Sequence, residues 1–281
     1  MTPRRNTRRG VAAVAVHLGL LALVGWALAP LVVMLATSVK PSGEIFRIPP
    51  RLLPSHPTLA HYTAVLTASD LPRTMANSVV VALLVTAVTL IVGGAAGYAL
   101  ARLPYRGSRG VAVLILAGQL LPVTVLLLPL YKAVSALGLL DSVAGLALVH
   151  LTTVMPLVVW MTRNAFAAVP VELEEAARVD GCTRLEAVAA TVLPVAAPAL
   201  TAVAIFAFLE SWNEFVFASV ITLTNRSKTA PIGLTDFANN VTTDWGATTA
   251  AATVLTVPIA LLFLLVQRQF VSGLASGAVK G

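Results

Sequence analysis

The sequence predicts an all-α polytopic membrane protein with six transmembrane helices and both termini in the cytosol. Three observations predict it. Hydrophobic residues make up 58% of the 281 residues and charged residues only 11%, against about 45–50% and about 25% in a soluble domain. The mean hydropathy is +0.88. The apolar residues gather in stretches close to the ~20 residues that a helix needs to cross a bilayer core, and the basic residues fall in the gaps between them. So few charges cannot cover that much apolar surface in water, which excludes a disordered chain, a nucleic-acid binder and an ordinary soluble enzyme. The formal net charge of +7 follows the gaps, a pattern that sets topology.

The first stretch is Val11–Ala36, interrupted only by His17 and Pro30 and preceded by the basic MTPRRNTRRG. It is too long for the apolar core of a cleaved signal peptide, about 7–15 residues, and reads as a retained signal anchor. The second is Ser78–Ala101, with no charge between Arg73 and Arg102. Its Gly93 and Gly97 have the spacing of a close helix contact. The third, Val111–Tyr131, holds Gln119. The fourth is Val143–Met161, and the fifth, Val195–Leu223, carries Glu210 and Glu214. The sixth is Ala247–Val266.

The chain therefore reads as one membrane domain. Residues 1–10 form a basic cytosolic start and 37–77 a proline-rich extracytoplasmic loop. Residues 78–266 form a five-helix core that includes a cytosolic loop at 162–194. Residues 267–281 form a cytosolic tail, Gly-rich from Ser272 and expected to be flexible. With the N-terminus inside, twelve Lys and Arg fall in cytosolic segments and seven outside. The turn Arg102–Arg109, with three Arg, is the strongest inside marker. Cys182 is the single cysteine, so no intrachain disulfide can form, and it offers no zinc cluster with the scattered His17, His56, His61 and His150. The two histidines in or near spans, His17 and His150, are read as locally satisfied.

The cytosolic loop has the clearest local signals. Pro170 suits a first helical turn, where its missing N–H costs nothing. Glu172, Glu174 and Glu175 follow, where the helix dipole favours anions. Glu174 and Arg178 are spaced for an i, i+4 pair. Gly181 can take the left-handed cap that ends the helix, and Thr183 with Glu186 forms a capping box that starts another. Leu185, Val188, Ala189 and Val192 make an apolar stripe, and Pro194 and Pro198 are expected to end or kink this second helix. Small residues, Ala176 and Ala177, flank the charges and permit close approach by another backbone. On spacing alone, docking to a partner and packing under the chain's own bundle both remain open.

The pattern Glu175-Ala176-Ala177, Asp180-Gly181 and Leu193-Pro194 resembles the EAA loop of ATP-binding-cassette (ABC) importer permeases, and Asp180-Gly181 resembles the carbohydrate branch. AGYALARLPYRG (96–107), LPLYKAVSALGLLDS (128–142), SWNEF (211–215), KTAPIGL (228–234) and GLASGAVKG (273–281) are similar to the maltose-type subunit, so the likeness runs from about Ala60 to Gly281. Cys182 departs from the usual Ala, and Ala199 from the frequent Gly, both small for small.

The resemblance implies a multi-pass plasma-membrane subunit of a binding-protein-dependent sugar importer. It implies a second permease, most often a different chain, two ATP-binding-cassette ATPase subunits, an extracytoplasmic sugar-binding protein, and membrane lipid as surroundings. Glu174, Glu175, Ala176, Ala177, Asp180, Gly181, Leu193 and Pro194 would then form the ATPase-coupling loop, and the tail would contact the ATPase pair. The chain has no GxxxxGK[ST] phosphate loop, so no catalytic residue, cofactor or metal is expected on it and ATP would be hydrolysed by a partner. Ionisable groups inside a membrane face a cavity or a partner. Glu210, Trp212, Asn213 and Glu214, with Gln119, are therefore candidates for the sugar path; an aromatic face beside carboxylate and amide suits a polyhydroxy ligand. A structural ion pair with Lys132, Arg226 or Lys228 is the competing reading of the two glutamates. Competing functions are the same machinery for a polyamine or amino acid, against which Asp180-Gly181 argues, and an ATP-independent secondary transporter, which would need no docking loop.

Overall fold

The computed structural model describes the backbone of residues 4–103, 106–238 and 243–278. In chain order the helices are α1 (Arg4–Ser38), α2 (Ala60–Thr67), α3 (Leu71–Arg102), α4 (Ser108–Ala117), α5 (Val123–Ala136) and α6 (Val143–Ala167). They continue with α7 (Val171–Val179), α8 (Arg184–Trp212), α9 (Ala218–Ile221), α10 (Ala230–Thr235) and α11 (Trp245–Ala278). A single turn, Ser42–Ile45, precedes α2. Among the described residues the β structure is one isolated bridge, Ala238 to Thr243. Among the described residues five helices are long and apolar enough to cross a membrane, six spans if one bent pair is counted as a span.

That pair corrects the third expected span. Gly110–Leu120 and Val123–Ala136 meet at 98° instead of forming one rod across Val111–Tyr131. Pro122 is the cause. It drives Leu121 out of the helical region, to φ −74° and ψ 125°, because its ring clashes with the preceding residue's helical conformation. The fifth span is also redrawn. α8 begins at Arg184 and ends at Trp212, and the chain turns at Asn213 before α9, so Val195–Leu223 is not one helix. Pro194 and Pro198 do not stop α8 as expected. A π turn at Val188–Val192 ends two residues before Pro194, and such a turn can absorb the hydrogen bond that a proline removes. The expected stripe on this helix is only half formed: Val192 is buried, whereas Leu185 and Ala189 face out.

Other boundaries move outward. α3 starts inside the expected loop, α6 runs six residues past Met161, and the helix of the sixth span continues through Ala278, where a flexible tail was expected. Residues 279–281 of that tail lie outside the described residues, as do 104 and 105 of the arginine-rich turn.

The chain divides into two compact units: Met1–Ser69 with Asp236–Thr256, and Asp70–Thr235 with Val257–Gly281. In the first, the segment after α1 is pinned to α2. Ser38 Oγ and Tyr62 Oη are 2.7 Å apart, and His61 Nε2 lies 2.9 Å from the Lys40 carbonyl. Asp244 caps α11 by accepting from the Ala247 amide at 3.0 Å.

In the second unit the core joins Val81 and Val85 of α3, Leu146, Val149 and Val158 of α6, Val203 and Ala207 of α8, and Phe217 and Ile221 around α9. Gly93 and Gly97 let α3 lie directly on α6. A Cβ at Gly97 would overlap Thr162 Oγ1 and come within 2.7 Å of the Arg163 amide. Thr162 Oγ1 donates to the Gly93 carbonyl at 3.0 Å, so the close approach also satisfies a backbone acceptor at the π turn Thr89–Gly93.

Candidate functional site

Two places in the second unit collect the residues singled out in the sequence. The first is the knuckle α7–turn–α8. α7 follows Pro170 and has Glu172 and Glu174 in its first turn. It closes at Gly181, whose φ is +96°, a conformation that glycine adopts without steric cost. The Gly181 amide donates to Arg178 O at 3.2 Å and the Cys182 amide to Ala177 O at 3.1 Å, the double closure of a Schellman turn. The capping box then starts α8: the Thr183 amide donates to Glu186 Oε2 at 2.8 Å, and the Glu186 amide to Thr183 Oγ1 at 3.4 Å.

The knuckle is tied down by a residue expected to serve otherwise. Glu174 does not pair with Arg178. It is buried, accepting from Tyr98 Oη at 2.6 Å and lying 3.7 Å from Arg102 Nε. Arg102 also donates to the Val169 carbonyl at 2.5 Å, and Tyr98 meets Phe166 edge to face at 5.8 Å between ring centres. Burial desolvates the Glu174 carboxylate, and Tyr98 and Arg102 at the end of α3 compensate that cost. Beneath it, Phe166, Val169, Val192 and Ala196 form a small core. Glu175, Ala176, Asp180 and Gly181 are exposed, Ala177 is half-buried, and Leu193 and Pro194 are exposed further along α8. Val179 and Leu185 flank the turn at 87% and 82% exposure. The knuckle thus presents an apolar pair and small residues outward on a base locked from inside.

The second place is an open cavity of about 500 Å³ at the outer end of α8. Gln119, Glu210, Asn213 and Glu214 all line it, together with His150 and the rings of Phe206, Phe215 and Phe217. Trp212 does not. It is 2% exposed and stacks on Phe208 at 5.8 Å between centres. Helical phase explains the correction: Glu210 faces the cavity from the last turn of α8, Asn213 and Glu214 follow where the helix ends, and Trp212, two residues after Glu210, is turned away.

The competing ion-pair reading of Glu214 is also corrected. Its partner is not Lys132, Arg226 or Lys228 but His150, with Nε2 3.0 Å from Oε2. Glu214 also accepts from the Phe217 amide at 2.7 Å and the Ala218 amide at 3.0 Å, capping α9. His150 is 1% exposed and its Nδ1 lies 2.8 Å from Ser211 Oγ. The network therefore links α6, α8 and α9. His150 was legible only as a polar residue in an apolar span. Gln119 donates to the Thr153 carbonyl at 2.7 Å and sits at the break before Pro122, where helical backbone gives way to the bend.

A third cluster was not foreseen. Asp141, at φ +55°, joins the turn before α6 to the segment after α9. Its carboxylate accepts from the amides of Leu223 and Thr224 at 2.9 Å each, from Thr224 Oγ1 at 2.6 Å, and from Ser227 Oγ. The hydroxyls of Ser227 and Thr224, then the backbone amides, hold this carboxyl well below the usual carboxylate range.

Known proteins agree with this architecture. The chain is 36% identical over 271 residues to the diacetylchitobiose uptake system permease protein DasC of Streptomyces coelicolor, covering 96% of each chain. It is 34% identical to the trehalose transport system permease protein SugB of Mycobacterium tuberculosis, covering 92% of this chain and 94% of that one. Its fold matches a solved bacterial ABC transporter involved in alginate import, with a TM-score of 0.78 at 22% identity over 95% of this chain and 98% of the other. Residues 13–276 match one family throughout. The chain belongs to the binding-protein-dependent transport system inner membrane components, a family of transport permeases.

Proposed function

We propose that the chain is a permease subunit of an ABC importer for a sugar or oligosaccharide, multi-pass in the plasma membrane and coupled to partner ATPases through the α7–α8 knuckle. The observation that carries the reading is the knuckle's construction. Exposed Val179, Leu185, Ala176 and Gly181 suit a partner's groove, while Glu174, Tyr98 and Arg102 transmit any displacement to α3. A surface that only packed against its own bundle would not leave Val179 and Leu185 outward. The cavity with Gln119, Glu210, Asn213 and Glu214 would be this chain's share of the sugar path, its phenylalanine faces meeting the C–H faces of the sugar and its amides and carboxylates the hydroxyls. That two relatives are named for the uptake of disaccharides supports sugar as the cargo. A second permease would complete the pore, and an extracytoplasmic binding protein would deliver the sugar.

The test is purification of the tagged chain from its own cells in mild detergent, beside a Gly181→Asp variant. The expected result is co-purification of an ATPase subunit and a second permease with the wild type, and loss of the ATPase alone from the variant. A well-folded chain that comes down by itself would overturn the reading.

A further inference from the structure

The cavity contains two carboxylates, and they are not equivalent. Glu214 is matched by the His150 ring and by two backbone amides. Glu210, on the last turn of α8, is exposed to the cavity and makes no ion pair or hydrogen bond among the described residues. Among the described residues, no Lys or Arg lines the cavity. A carboxylate facing a cavity within the span of a membrane protein sits where a countercharge or polar ligand meets it. A cleft with walls of one sign also concentrates the opposite charge.

We propose that Glu210 is a cation subsite of the sugar path, and that this importer favours glycans bearing a protonated amine over neutral counterparts and disfavours those bearing a carboxylate. The inference rests on the reading of the cavity as the sugar path. Three features of the cavity fit the ligand. Glu210 supplies the charge-assisted acceptor for the ammonium. Phe206 and Phe215 supply aromatic surface that attracts both a cation and sugar C–H groups. Gln119 and Asn213 supply neutral partners for hydroxyls. A carboxylated glycan in the same place would face Glu210 with no Lys or Arg in the lining to offset it.

The test uses the intact importer complex in lipid nanodiscs with the binding protein omitted, so that the binding protein's own selectivity does not enter. Equilibrium binding is measured for three labelled disaccharides: one of glucosamine, its di-N-acetylated form and one containing a hexuronate. The expected order is amine, then N-acetyl, then carboxylate, with about tenfold between the first two, the size of one charge-assisted contact. In Glu210→Gln that ratio falls to near one, and in Glu210→Asp it is largely kept. Raising salt from about 0.05 to about 0.5 M weakens the amine sugar selectively, because ions screen the pair; this holds without any variant, should Glu210→Gln assemble poorly. Equal binding of amine and N-acetyl sugars by the wild type, or a preference that survives Glu210→Gln, overturns this inference and leaves the sugar path intact. Absence of binding by all three overturns the sugar-path reading together with it.

Discussion

Glu174 and Glu214 are both carboxylates drawn inward at opposite ends of the bundle, and they are held in different ways. Glu174 has only side-chain partners, Tyr98 and Arg102, both on α3. Glu214 combines the distant His150 with amides three and four residues ahead in its own chain. The first arrangement ties one finished piece of structure to another. The second builds the local fold itself, because the turn after α8 exists partly through the cap that Glu214 gives α9. In the proposed roles, the difference would let the knuckle be displaced as a body while the wall of the cavity keeps its shape.

The comparison can be broken most forcefully at Glu214. Glu214→Ala strands His150 and two amides, and stability should fall by about 2–4 kcal/mol, read as earlier thermal unfolding in detergent together with loss of sugar-stimulated ATPase activity. An unchanged melting profile would mean that the network does not hold the turn. A smaller effect is expected at the other end. Tyr98→Phe removes one hydrogen bond to a carboxylate, about 1–2 kcal/mol, without unfolding α3 or α7. The expected signature is near-normal unfolding with uncoupled ATPase activity; equal losses in both would erase the distinction drawn here.

The smallest effect sharpens the contrast with a third carboxylate. Asp141 has its pKa lowered by hydroxyls and amides. A lowered folded-state pKa contributes stability that is complete above the unfolded value, about 4, and is lost as pH falls through the folded one. Wild type should therefore lose this contribution only in strong acid, and Asp141→Asn should flatten that acid limb while changing stability at neutral pH modestly. An identical acid profile in the variant would remove Asp141 from the account.

Much of the knuckle was legible because its signals are local. Pro170, Gly181 and the Thr183–Glu186 box act within a turn of themselves, and the structure keeps each of them. Glu174 escaped because its choice between Arg178 and α3 depends on a helix some 70 residues away in sequence (Tyr98 to Glu174 is a separation of 76). The π turns escaped because one inserted residue has no compositional mark. The bend at Leu121–Pro122 could have been found: Pro122 sat inside a supposed continuous span, and the residue before a proline resists helix. Trp212 could also have been excluded from the path by its phase on α8 relative to Glu210. His150 as the partner of Glu214 could not, since nothing in two separate apolar spans gives their relative rotation.

The Schellman closure and the capping box leave almost no free chain between α7 and α8: Cys182 alone stands between the glycine that ends one helix and the threonine that starts the other. Ordering a floppy segment of even a few residues on contact would cost about 1–2 kcal/mol of backbone entropy for each. Here that ordering is complete before any partner arrives. In the proposed coupling role, engagement would therefore be fast and readily reversed, with its strength set by the contact surface itself.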